Sequence, residues 1–239
     1  MFPLNFIVYG WNDIADHDID RLNPRKDSWL FGARGSAGQL AALPRVLLFS
    51  QLPFAFAFCL VDARLVLLLG AMAFVNFLYN APRWGFRTNP PLELFNQLGY
   101  LLILPLSSWL NGAPLPPAQA VGYLVLFCTH SHLCGEIMDV VPDRAGGRRT
   151  TATFLGIRTT KLVVLALVVA EGIVLCQVFI DYVLGGMLFS GAAWLVADLF
   201  FFGEQSYTRR QFALFGLGIN LSGVASMAWV WHSASLLRR

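Results

Sequence analysis

LVVLALVVAEGIVLCQVFI, residues Leu162–Ile180, carries one charged side chain, Glu171, in an otherwise apolar run. About 20 apolar residues take an α-helix across the hydrocarbon core, and inside lipid a helix satisfies its own backbone N–H and C=O groups. The run is continuous, so the alternating pattern of a membrane barrel strand is excluded. Outward from it lie six more such runs: Ala41–Val61, Leu65–Tyr79, Leu92–Leu110, Ala118–Cys134, Val183–Phe202 and Phe212–Trp231. Phe2–Trp11 is apolar for only about half the spanning length and reads as the end of a helix. It has no basic leader or small-residue cleavage site and runs into Asn12 and Asp13, so it reads as a retained segment.

The composition agrees with lipid as the solvent. Hydrophobic residues make up 56% of the 239 residues, charged residues 13%, and the mean hydropathy is +0.60, too apolar for a soluble domain of this length. The expected class is an all-α integral membrane protein with seven spans and a partial N-terminal helix. Threading the spans alternately through a bilayer sorts the basic residues. Arg21, Arg25, Lys26, Arg34, Arg45, Arg83, Arg87, Arg144, Arg148, Arg149, Arg158, Lys161, Arg209 and Arg210 fall on one face, leaving Arg64, Arg238 and Arg239 opposite. The crowded face is expected to be cytoplasmic, in an inner or plasma membrane. A net charge of +3 held at that face gives no reason to expect a nucleic acid partner.

Residues 1–239 read as a single domain, since no polar linker is long enough to separate two. The long, charged connections Asp13–Leu40 and Glu136–Lys161 share the basic face, which is where function is expected. The glycine-rich stretch Gly32–Gly38 lacks the lysine and spacing of a phosphate loop and reads as a connector. Cys59, Cys128, Cys134 and Cys176 form no CxxC pair and read as packing residues.

Two carboxylate clusters carry the chemistry. In NDIADHDID, Asn12–Asp20, the residues Asp13, Asp16 and Asp20 are spaced to share one helix face with Asn12 at its edge, while Asp18 points elsewhere. Three stacked carboxylates repel one another unless cations neutralise them, and hard oxygen ligands suit a magnesium ion that also binds phosphate. The second cluster, EIMDVVPD, Glu136–Asp143, brings Asp139 and Asp143 to the end of a span, with Pro142 expected to disturb the helix there. Either cluster alone could be a solvated loop; two on one membrane face favour a metal-diphosphate site. Fixed positive charge for the diphosphate is available from Arg25, Lys26, Arg87, Arg144, Arg148 and Arg149, of which Arg87 and Arg148 are the first choices. His130 and His132 lie on different sides of a helix and read as polar packing residues; Glu171 and Asp198 receive no role.

At these residues the chain resembles the UbiA superfamily of intramembrane prenyltransferases. The family's NDxxDxxxD motif stands as Asn12, Asp13, Asp16 and Asp20, and its DxxxD motif as Asp139 and Asp143, continuing through PDRAGGRRTTATFLG; YNAPRWGFR, Tyr79–Arg87, is a third family-like segment. NPRK after the first motif and PDRAGGRRTTA look somewhat like the lycopene elongase branch. The resemblance implies a helical bundle around a central cavity, in which this chain matches the end of helix two and helices three to nine. With helix one and half of helix two lacking counterparts, the reading frame is expected to start further upstream; a degenerate copy is the alternative.

The resemblance further implies a magnesium-dependent transferase that ionises an isoprenyl diphosphate and passes the prenyl group to a lipophilic acceptor within the membrane lipid. Asp13, Asp16, Asp139 and Asp143 would be catalytic, these four with Asn12 and Asp20 would hold Mg2+, and Asn12, Arg87, Arg144 and Arg148 would bind the diphosphate. Quinone-ring, lipid and carotenoid acceptors all stay open, as do prenyl chain length and oligomeric state. A membrane terpene cyclase and an inactive relative are the alternatives. A transporter fits less well, because its carboxylates belong at mid-membrane. A CDP-alcohol phosphotransferase needs glycine where His17 stands.

Overall fold

The computed structural model describes residues 2–24, 26–27, 32, 34–82, 84–205 and 208–237. Arg25, Arg83, Arg238 and Arg239, counted on the two membrane faces above, lie outside them, as does Ala33 of the connector; of Arg209 only the backbone is described. The helices are α1 (Phe2–Asp20), α2 (Ala37–Val61), α3 (Ala63–Asn80), α4 (Leu94–Leu98), α5 (Ile103–Leu110), α6 (Ala118–Ala145), α7 (Thr151–Leu155), α8 (Ile157–Gln177), α9 (Tyr182–Phe202) and α10 (Arg209–Ser233). Among the described residues there are helices and no strands, as the sequence requires. Of these helices α2, α3, α6, α8 and α9 are long and apolar enough to cross a membrane.

The run Leu92–Leu110 differs from the continuous helix expected there. It consists of α4, a 3-10 segment Gly99–Leu102 and α5. Pro105 has no N–H to give to the Leu101 carbonyl, and its ring crowds that carbonyl, so the upstream backbone tightens. The opposite correction applies at Pro142, where α6 continues through the proline to Ala145. Only the last turn lies beyond it, so a single missing hydrogen bond, to Met138, does not end the helix.

The chain forms two compact units, Met1–Leu115 with Pro142–Thr150, and Pro116–Val141 with Thr151–Arg239. In the first, Leu4 of α1, Leu65, Leu69 and Met72 of α3, and Leu106 of α5 make the buried core. Asn76 Nδ2 of α3 donates to the Ile7 carbonyl of α1 at 3.2 Å, and Asn80 Nδ2 donates back to Asn76 Oδ1 at 3.1 Å. These bonds hold α1, and with it the first acidic motif, against α3. Chain entry into α2 is set by a capping box, Ser36 with Gln39, and into α3 by Asp62, which accepts from the Arg64 N–H.

The second unit is held by α8 against α9 and by a cluster of Ala120, Leu175, Phe179 and Leu184, onto which Trp229 and Val230 of α10 pack. Lys161 and Asp198 pair at 2.6 Å with the lysine fully buried, and Lys161 Nζ also donates to the Phe202 carbonyl at 3.0 Å. Asp181 caps α9 by accepting from Val183 and Leu184 N–H and also accepts from the Trp229 indole N–H at 2.9 Å. Outward faces carry large apolar side chains such as Leu60, Phe200 and Trp231, the last 90% exposed, a distribution stable only in lipid. The protein is an integral membrane protein.

Candidate functional site

The first acidic motif is wholly helical, lying in the last two turns of α1, so Asp13, Asp16 and Asp20 recur at intervals of three and four. Each has a cation. Lys26 Nζ lies 2.9 Å from Asp20 and 3.5 Å from Asp13, reached because the chain turns back directly after α1. Arg34 fixes that turn by donating to the Asp20 carbonyl at 3.0 Å and to the Asn23 carbonyl at 2.9 Å. Asp16, 5% exposed, is held between Arg87 Nη1 at 2.9 Å and Arg148 Nη1 at 3.1 Å. Asn12 is half-buried beside this row, and Asp18 is exposed, as its position on the helix requires.

Arg87 arrives on a turn that only glycine permits. The chain leaves α3 at Asn80, the Gly85 N–H donates to the Ala81 carbonyl at 2.8 Å, and Asn89 Nδ2 donates to the Gly85 carbonyl at 2.7 Å. A Cβ at Gly85 would collide with the Ala81 and Tyr79 carbonyl oxygens. Burial pulls the Arg87 guanidinium below the usual arginine range against the pull of Asp16, and neighbouring Arg148 lowers it further.

Arg148 ties three segments together within the first unit. Besides Asp16, its Nη1 lies 3.8 Å from Asp143 of the second motif, its Nη2 donates to the Tyr79 hydroxyl at 3.2 Å, and its Nε to the Arg87 carbonyl at 3.4 Å. Asp143 is 2% exposed. Residues of all three sequence motifs therefore meet at one guanidinium. Arg144 and Arg149 are exposed and stand outside this contact set. Asp139 lies one turn before Asp143 on α6 and belongs to the second unit, as does Glu136, which accepts from the Ala152 N–H at 2.9 Å and pairs with His132 at 3.1 Å.

The α1 carboxylates are hard oxygen ligands, and buried Asp16 Oδ1 makes no hydrogen bond although Arg87 is near it. Burial raises the Asp13 carboxyl above its usual range, with Asp20 and Asp16 adding to the rise and Lys26 opposing it. A cation at this face would relieve that repulsion, so the residues fit a divalent ion. Among the described residues no three His, Cys, Asp or Glu side chains already converge as a ligand group.

Lys26 stands among the cations the sequence offers to a diphosphate, but its pairing with Asp20 and Asp13 is not encoded in the spacing. Tyr79 sits in a quoted segment, but only the fold turns its hydroxyl to Arg148. His130, read from sequence as a polar packing residue, and Glu171, given no role there, pair at 2.5 Å in the second unit, 41 positions apart. No local pattern announces that contact.

The UbiA prenyltransferase family model matches residues 1–231, a range that contains all three sequence motifs. The chain belongs to the UbiA prenyltransferase family. Among curated proteins, this UbiA chain is 37% identical over 155 residues to a lycopene elongase/hydratase of Haloarcula japonica, covering 64% of this chain and 51% of the relative. It is 32% identical to the lycopene elongase/hydratase of Halobacterium salinarum, over 65% of this chain and 55% of the relative. A C(50) beta-cyclic carotenoids biosynthesis protein of a Dietzia species is 29% identical over 73% of this chain and 41% of its own length. The chain thus spans about half the length of the curated relatives it matches. No solved structure matches.

Proposed function

We infer that this UbiA chain serves a magnesium-dependent intramembrane prenyl transfer from an isoprenyl diphosphate to a lipophilic acceptor, with the diphosphate site facing the cytoplasm. The observation that carries the reading is the meeting of Asp16, Asp143, Arg87, Arg148 and Tyr79, which sets paired carboxylates against fixed guanidinium donors. Asp13, Asp16 and Asp20, with Asn12 beside them and Asp143 of the second motif, would hold Mg2+; Asp139 is assigned by motif order along α6 alone. Bound magnesium would neutralise the diphosphate leaving group as C–O cleavage gives an allylic cation. Arg87 and Arg148 would release their carboxylate contacts to clamp phosphate oxygens, and the apolar helices would keep water from the cation. Arg144, exposed, is the weakest of the diphosphate assignments. The relatives' names favour a polyene such as lycopene as the acceptor class.

The test is pyrophosphate release by the lipid-reconstituted chain, with dimethylallyl, farnesyl and geranylgeranyl diphosphates, with and without magnesium, and with lycopene as acceptor. Magnesium-dependent release with a prenylated polyene supports the reading; a hydrocarbon or alcohol formed without acceptor turns it toward a cyclase. Asp13→Ala and Asp139→Ala, still inserted in the membrane, are expected to release no pyrophosphate. Unchanged turnover in either removes that residue from the site.

A further inference from the structure

Lys26 lies beyond the end of α1, yet its ammonium returns to the acidic row, 2.9 Å from Asp20 Oδ2 and 3.5 Å from Asp13 Oδ1. The return is built into the chain. The Leu22 and Asn23 N–H groups donate back to the Ile19 and Asp20 carbonyls, and the Lys26 N–H donates to the Asn23 carbonyl at 3.3 Å. Asp27 follows in the left-handed backbone region at φ 59°, where its carboxylate accepts from the Arg34 N–H at 2.8 Å and meets the Arg34 guanidinium at 3.2 Å. Arg34 also donates to the Asp20 and Asn23 carbonyls, so the turn is tied to the end of α1. The Lys26 and Asp20 side chains are each 16% exposed. An ion pair sheltered to that degree is screened less than one on an open surface. All of these groups lie within the first unit.

Asp13 and Asp20 are two of the ligands that the magnesium reading requires, so the lysine and the metal need the same carboxylates. A carboxylate that accepts from an ammonium can also serve a divalent ion only by bringing two cations within a few ångströms of each other, where they repel strongly. Asp16 differs, because its cations are the planar guanidiniums of Arg87 and Arg148, and Arg148 is anchored further by the Tyr79 hydroxyl and the Arg87 carbonyl. An ammonium is a compact charge on a flexible four-carbon stem and is able to swing aside. We propose that Lys26 is a built-in counter-ion that competes with the divalent metal for the first acidic motif, so that metal entry requires the lysine to leave Asp13 and Asp20. This rests on the magnesium-dependent reading above and deepens it. Metal affinity is then reduced by the fraction of time the lysine holds the carboxylates, and an occupancy of about nine-tenths weakens it about tenfold. In return the acidic row is neutralised from within the chain, which keeps the last turns of α1 folded against their own repulsion.

The experiment measures Mn2+ binding to the purified full chain in detergent, with no diphosphate present, from the electron paramagnetic resonance signal of unbound Mn2+. Mn2+ stands in for magnesium, sharing its charge and its preference for octahedral oxygen ligands. Lys26→Met and Lys26→Gln are expected to bind Mn2+ at least about tenfold more tightly than the unaltered chain, and Lys26→Met combined with Asp20→Asn to lose that gain. Arg34→Gln loosens the turn but keeps the lysine, so it is expected to give a smaller gain, and it serves should the lysine variants not fold. Arg21 is exposed at the end of α1, so Arg21→Met removes a charge from the same face and is expected to change affinity by less than about twofold. Thermal unfolding gives a second readout: Lys26→Met is expected to melt lower in EDTA and to be raised more by Mn2+ than the unaltered chain. Affinity in the Lys26 variants equal to or weaker than that of the unaltered chain, or a gain as large in Arg21→Met, overturns the assignment of Lys26 and leaves the metal reading standing. No Mn2+ bound by any of these chains removes both.

Discussion

Arg148 Nη1 stands 3.1 Å from Asp16 Oδ2, joining residues 132 positions apart. The guanidinium also approaches Asp143 and receives the Tyr79 hydroxyl as acceptor, so one side chain reads the state of both acidic motifs. A planar fork can serve these partners together and a point-charge ammonium cannot.

Arg148→Lys is therefore expected to weaken binding of the diphosphate group by about tenfold to a hundredfold, the equivalent of one or two charge-assisted hydrogen bonds. Calorimetric titration of the reconstituted chain with pyrophosphate and magnesium reads this directly. Equal affinity in both proteins takes Arg148 out of the site.

Gly85→Ala is expected to break the turn that carries Arg87. The added methyl meets two backbone carbonyl oxygens, which cannot swing away as a side chain end can. A loss of about 2 kcal/mol or more in stability is expected, together with the loss of most pyrophosphate release. Thermal unfolding in detergent checks the first and the release assay the second.

Lys161→Met leaves the Asp198 carboxylate buried without its ammonium, and a loss of about 3–5 kcal/mol is expected. The double variant Lys161→Met with Asp198→Leu removes both charges and is expected to recover most of that stability. Thermal unfolding of the two variants side by side decides it; equal melting would show the pair to be energetically idle.

Asp181, between α8 and α9, gives the sign of one pH dependence. Burial pushes its carboxyl up, but hydrogen bonds from Ser235, the Leu184 N–H, the Trp229 indole and the Val183 N–H outweigh it and leave it below the usual value of 3.8. A carboxyl depressed in the folded state contributes stability above its unfolded pKa and loses it as pH falls through the folded one. Trp229 fluorescence is expected to report loosening of the second unit below about pH 4, and Asp181→Asn to be less stable at neutral pH with that acid step reduced.

The α1 motif was legible because its spacing matches the helical repeat: Asp13, Asp16 and Asp20 must share a face whatever surrounds them. Pro142 was misleading for a local reason, since a proline's effect depends on how many turns follow it, and here one does. Leu92–Leu110 misled in the other direction, its apolarity concealing the break upstream of Pro105. Lys26 returns to Asp20 through a turn fixed by Arg34, and nothing in the spacing of charges encodes that return.

Sequence alone determined the all-α membrane class, the family motifs and the identity of the charged groups, because hydropathy and helical periodicity are properties of neighbouring residues. Tertiary structure decided which cation answers which carboxylate, Arg87 and Arg148 with Asp16, Lys26 with Asp20 and Lys161 with Asp198, and it set the His130 ring beside Glu171. Electrostatic pairing acts through a few ångströms of space, and those distances are set only when helices far apart in the chain have packed.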